Sequence, residues 1–372
     1  MRKKVIIFTD TDKDDLYSLC LDCAQHYYGI IEIIGIVIES GFIINIQDGL
    51  LITQQWLNKL NIGTNLDKNN NNKNKYPIKI NLYAGLPRPG YLDNRLFPKD
   101  FVKVYLNLLK DNLGITIPNY NYVGGNYTNV IVKTGAPSVD KLFSSLKFNE
   151  NKSIECIISS PTTSLALGLD KYSFLSLKIQ EIYSMTSNYL VPGNVPKKNN
   201  DDANISLQEP YSNYSGEYNA FMNPASLQRI CLSVKNNIDI HLVPLDCTNH
   251  APLTVNTVKE LKKIAEPFLP HITNPWVQNL YKNFILMITI GELSESHSLY
   301  LWDLCVTCIA LGSKIDQNYI LGTPIISVTG KTELYYYTKK DKVKIYTYLN
   351  DKKLLVNSIR ILFNDKNIKY KI

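Results

Sequence analysis

"VIIFTDTDKDDLYSL", residues 5–19, decides the fold through the point where its apolar run stops. Val5 to Phe8 have the length and β-branched character of a buried strand, and from Asp14 onward the pattern becomes helical. Between them the chain turns acidic: Asp10, Asp12, Asp14 and Asp15 crowd together, and Asp22 follows. Carboxylates this close repel one another and resist desolvation, so the cluster calls for a cation, a basic partner or open water. Helix capping and dipole complementation account for one or two of them, at about 0.3–1 kcal/mol each, but not for all. A strand that ends in acid and feeds a helix places Asp10 beyond the carboxyl end of a parallel sheet, where ligands of such sheets bind. Adjacent helix positions point about 100° apart, so Asp14 and Asp15 can serve different partners, one a metal and the other a polar ligand. All-oxygen donors suit calcium or magnesium and leave coordination sites for another carboxylate elsewhere.

The strand-to-helix rhythm continues outward. Strands are expected at KKVIIF, IEIIGIVI, IKINLYAG, SIECIIS, KIQEIYSM and IDIHLVPLD. Helices are expected at DDLYSLCLDCAQHYY, NIQDGLLITQQWLNKL, SVDKLFSSL, NPASLQRICLSV, TVKELKKIAEPFL and LYLWDLCVTCIAL. Alternation of this kind predicts an α/β fold: an open, largely parallel central sheet with helices on both faces and a Rossmann-like core. The Asn/Lys tract within 66–76 has nothing to bury and reads as a disordered surface insertion. Residues 196–212 read as a plain loop or as a lid over a site. Because the same rhythm resumes after each, the expectation is a single domain over 1–372, with a C-terminal extension from about 320.

The chain has 372 residues, 45% hydrophobic and 20% charged, with a net charge of +7. That charge is spread over scattered lysines without an Arg-rich block, which argues against nucleic acid as a partner. The apolar run after Arg2, Lys3 and Lys4 is too short for a signal-peptide core of about 7–15 residues. NFILMITIG at 283–291 is too short for the roughly 20 residues that span a bilayer. The expectation is a cytoplasmic protein with no membrane association. Seven cysteines sit mostly within apolar segments and read as reduced core thiols rather than a disulfide frame. The C-x-x-C pairs Cys20/Cys23 and Cys305/Cys308 lack the turn residues of a zinc knuckle.

Three further stretches carry polar residues in unusual places. GNVP at 193–196 contains Asn194, and GEYNAFMNPAS at 216–226 contains Glu217 and Asn219, which suit either vicinal sugar hydroxyls or a helix start. In HSLYLWDLCV, Asp303 interrupts an apolar helix beside Trp302; buried carboxylates are usually paired or metal-bound, and a neighbouring indole can stack on a planar ring. A strand followed by D-x-D also opens the haloacid-dehalogenase phosphatases, but Asp14 stands where that pattern wants Thr or Val.

Taken in order, these stretches resemble the calcium-dependent inosine-uridine and inosine-adenosine-guanosine nucleoside hydrolases. The family opens with an apolar strand and D-x-x-x-D-D, matched by Asp10, Asp14 and Asp15. The likeness runs on through IIGIVIES, RLFPKDF, CIISSPTTSLALGLDKY, GNVP, EYNAFMNPAS, VPLDCTNHAPLT and YLWDLCVTCIAL. Trp302-Asp303 is similar to the purine-preferring branch. The resemblance implies calcium held by Asp10, Asp15 and Asp303, with Ser159 at the place of a backbone-carbonyl ligand. It implies Asp14, Asn194, Glu217 and Asn219 on the ribose, and Phe101 and Trp302 facing the base. Asp10 would be the catalytic base, taking a proton from water that attacks the anomeric carbon. The chain departs from the family at Thr11-Asp12, at Ser40 after Glu39, and at the turn TSNY after KIQEIYSM. His250 and His297 are candidate acids that read better as ordinary histidines. The expected function is hydrolysis of purine nucleosides to ribose and base, in purine salvage or nucleoside catabolism, by a homodimer or homotetramer. The alternative is a non-catalytic family member that binds nucleoside and calcium.

Overall fold

The computed structural model describes residues 2–43, 45–67, 76–86, 99–117, 135–195, 216–293, 299–313, 315–335 and 343–365. Most of the Asn/Lys tract and all of 196–212 lie outside them. Strands β1 (Lys3–Thr9), β2 (Ile31–Ile38), β3 (Leu82–Ala84), β4 (Ile154–Ser159), β5 (Ile179–Met185), β6 (Asp239–Val243), β7 (Gln317–Ile326), β8 (Thr332–Tyr335) and β9 (Val343–Leu349) form one sheet. Their order is β8-β7-β9-β6-β5-β4-β1-β2-β3. The run from β9 to β3 is parallel throughout, and β7 pairs antiparallel with both β9 and β8. The expected largely parallel sheet is therefore present, and the C-terminal strands extend it.

β1 has the two-residue period of a strand covered on both faces. Val5 and Ile7 enter one apolar core and Ile6 and Phe8 the other. The first core is built with α1 (Lys13–Tyr27), α2 (Ile46–Lys59), α3 (Lys99–Leu113), α7 (Pro275–Leu293), α8 (Trp302–Ala310) and α9 (Asp351–Phe363). The second uses α4 (Thr163–Lys171) and α6 (Pro224–Leu232); the short α5 (Tyr218–Met222) precedes α6. Helix α1 is buried without interruption from Lys13 to Gln25, because α7, α8 and α9 all pack on it.

Two expected strands are shorter than their sequences suggest. IKINLYAG divides at Asn81: Ile78–Ile80 pairs with Ile62–Thr64, and only Leu82–Ala84 joins the main sheet. The side chain of Asn65 brackets Leu82, accepting its N–H at 2.8 Å and donating to its carbonyl at 3.0 Å. IDIHLVPLD ends as a strand at Val243, where Pro244 removes the ladder donor. The order reverses at β1, with β2 and β3 on one side and β4 to β6 on the other. The crevice between the ends of β1 and β4 is thus the switch point where such sheets hold ligands, and Thr9 pairs there with Ser159.

Candidate active site

Asp10 leaves β1 at this crevice, and its Oδ2 accepts the Phe42 N–H at 2.8 Å. Thr11 then adopts φ +70°, a conformation that glycine accepts freely and a β-branched residue does not. The tight reversal makes Asp12 the N-cap of α1: its carboxylate accepts the Lys13 N–H at 2.6 Å, and Asp15 Oδ2 accepts the Asp12 N–H at 3.0 Å. From α3, the Tyr105 hydroxyl braces the turn by donating to the Thr11 carbonyl at 3.0 Å. Capping therefore accounts for Asp12 and for one oxygen of Asp15. The other Asp15 oxygen accepts from the Ser159 hydroxyl at the end of β4.

Asp303 reaches the same place in the first turn of α8, which packs on β4, β5 and α1. It is 4% exposed, and Asp14, Asp15, Asp10 and Asp12 all act on it electrostatically. Burial, followed by mutual repulsion, holds the carboxyls of Asp10, Asp14 and Asp303 well above the usual range. Asp15 rises only to about 6, because hydrogen bonds from Ser159 and Thr9 and contact with Asp10 oppose its burial. Segments far apart in sequence thus converge on one buried acidic cluster.

Among the described residues, no three His, Cys, Asp or Glu side chains stand ready as a metal-holding group. The chemistry of the donors does fit a hard divalent cation. Asp10, Asp15 and Asp303 are buried carboxylates; Asp15 raises the proton affinity of Asp10, both raise that of Asp303, and a cation would relieve this repulsion.

The residues assigned to the sugar are placed by β5. Glu217 caps α5: Oε1 accepts from Asn219 N–H at 2.8 Å, and Oε2 accepts from Ala220 N–H at 2.9 Å, Ser187 N–H at 3.1 Å and the Thr186 hydroxyl at 3.1 Å. Burial raises its carboxyl to about 7 despite these bonds. Asn219 donates to the Met185 carbonyl at 3.1 Å, and Asn194 accepts the Tyr218 N–H at 2.7 Å. The helix-start reading of Glu217 is the one its bonds express. Ser187 has φ +82°, in the turn TSNY that follows β5. Trp302 begins α8 half-buried, its indole N–H 3.4 Å from Asn249 Oδ1 and its ring 5.9 Å from that of Tyr300. Phe101 falls in α3, but its side chain lies outside the described residues, as does His297. His250 is exposed and edge-on to Tyr348 at 4.9 Å. All seven cysteines are buried and unpaired.

Sequence reasoning missed Lys13, Phe42 and Tyr105. Lys13 was visible as the one cation inside the acidic run. The Phe42 amide and the Tyr105 hydroxyl enter the site through long-range packing that leaves no local pattern.

Solved structures share this architecture. An inosine-uridine preferring nucleoside hydrolase from Bacillus anthracis has a TM-score of 0.64 at 18% identity, covering 98% of this chain and 100% of its own. A plant nucleoside hydrolase gives 0.63 at 15%, with 98% and 100% covered. A purine-preferring ribonucleoside hydrolase from Gardnerella vaginalis gives 0.60 at 17%, with 97% and 98% covered. No curated protein sequence matches the chain. The shared fold is that of the nucleoside hydrolases, which are N-glycosyl hydrolases. The family model described as inosine-uridine preferring nucleoside hydrolase matches residues 5–354, and the chain belongs to that family.

Proposed function

We propose that this N-glycosyl hydrolase acts on purine ribonucleosides in a calcium-dependent reaction, releasing ribose and free base within the cytoplasm for salvage or catabolism. The observation that carries this reading is the convergence of Asp303 with Asp10, Asp14 and Asp15 in one buried crevice. Asp10, Asp15 and Asp303 would hold the ion, with Ser159 beside them. When bound, the ion supplies Lewis-acid polarisation of water and sugar hydroxyls.

Asp10, anchored by the Phe42 amide, takes a proton from water as the water oxygen bonds to the anomeric carbon. The bond to the base nitrogen breaks and its electron pair leaves with the base. Positive charge develops on the ribose ring meanwhile, and the surrounding carboxylates favour it. Asp14 orients the ribose hydroxyls, and Asn194, Glu217 and Asn219 shape the rest of the sugar site. Trp302, half-buried at the start of α8, offers a ring face to the base; the family resemblance gives Phe101 the same role. A panel of inosine, adenosine, guanosine and uridine, scored by ribose release, tests this. Faster release from the purine nucleosides supports the reading, equal release from uridine overturns the purine preference, and no release from any of them overturns the whole.

A further inference from the structure

Lys13 occupies an unfavourable position by two ordinary criteria. It lies in the first turn of α1, where the helix dipole disfavours a positive charge, and its side chain is only 7% exposed, where lysine is rare unless paired. Its Nζ stands 3.8 Å from Asp12 Oδ1 and 5.9 Å from the centre of the Phe42 ring. The backbone N–H of that same Phe42 donates to Asp10, so the ammonium lies beside Asp12 on one side and near the ring of the residue that anchors Asp10 on the other. The lysine stem passes the end of α7, where a Cβ on Gly291 would lie 3.8 Å from Lys13 Cδ. The ammonium also pulls the Asp14 carboxyl down, against the push of the neighbouring acids.

We infer that Lys13 is an internal counter-cation of the acidic cluster: it steadies the metal-free crevice and, by like-charge repulsion, weakens the affinity of that crevice for a divalent ion. This rests on the calcium reading above. A fixed positive charge 3.8 Å from Asp12 Oδ1 that also acts on Asp14 substitutes for part of a cation when none is bound and opposes one that enters.

The test uses the full-length protein, calcium chloride as probe, isothermal titration and thermal unfolding. Lys13→Gln should bind calcium at least about tenfold more tightly at low ionic strength, with the gain shrinking as salt screens the site. It should also melt lower in chelator and gain more from calcium than the unmodified protein does. Lys13→Arg keeps the charge and should leave the calcium Kd within about twofold, which keeps the test decisive if the glutamine variant fails to fold. Unchanged calcium affinity in Lys13→Gln, or tightening in Lys13→Arg, overturns this inference alone. No calcium binding by the unmodified protein overturns the calcium reading and this inference with it.

Discussion

Asp22 offers a quantitative test of how the central helix is assembled. It lies in the middle of α1, 1% exposed, and its Oδ1 meets no hydrogen-bond partner among the described residues. Burial pushes its carboxyl from an ordinary 3.8 up to about 8. An acid whose folded-state pKa is raised costs nothing below pH 3.8, where both states hold the proton. As pH climbs, the unfolded chain ionises while the folded chain keeps its proton, so stability falls steadily until about pH 8. By pH 7 about three pH units of that window have been crossed, which at 1.36 kcal/mol per unit amounts to about 4 kcal/mol. Asp22→Asn keeps the volume and removes the ionisation. It should raise the melting temperature at pH 7 by roughly 5 °C in a chain of this length, and change it little at pH 4. Thermal unfolding of both proteins across pH 4–8 reads the difference. A gain that is the same at both ends of the range, or no gain at pH 7, would refute the claim that an unpaired carboxyl is buried there.

Other consequences are open to direct measurement. His241 lies buried on β6 between Tyr183 and Tyr346, and burial lowers it from 6.5 to about 4. The unfolded chain takes up that proton first, so about 3 kcal/mol of stability is lost as pH falls from 6.5 to 4, and His241→Asn should flatten this acid limb in urea unfolding. Thr11→Gly relaxes the φ of +70° and should stabilise the fold by about 1 kcal/mol, measured by the urea midpoint. Trp302→Ala removes the stacking face and should raise KM for inosine on the order of tenfold while changing KM for uridine less; equal losses for both would separate the indole from base preference.

The central strands and helices were legible because their periods are unambiguous: IEIIGIVI can only be a strand covered on both sides, and the apolar series after Asp14 only a buried helix. Asp10, Asp14 and Asp15 stood out as a crowded acidic run and Asp303 as a carboxylate inside an apolar helix, but only the family resemblance put the four in one site, because nothing local links segments so far apart. The break in IKINLYAG was not, since it is imposed by Asn65, distant in sequence and bonded to Leu82 on both sides. Nor was the division of labour in the cluster, where capping claims Asp12 and half of Asp15. Thr11 and Ser187 stood out in sequence only as departures from the family. Their positive φ values show that both turns use a backbone conformation that glycine adopts freely and that Thr and Ser adopt only under strain.

Ribose release from inosine by protein stripped with a chelator, then given calcium, puts the acidic crevice to its most direct trial. The chelated protein should be inert and added calcium should restore release of ribose and hypoxanthine. Release that persists undiminished after stripping, or an inosine solution left intact after calcium is added, would contradict the account.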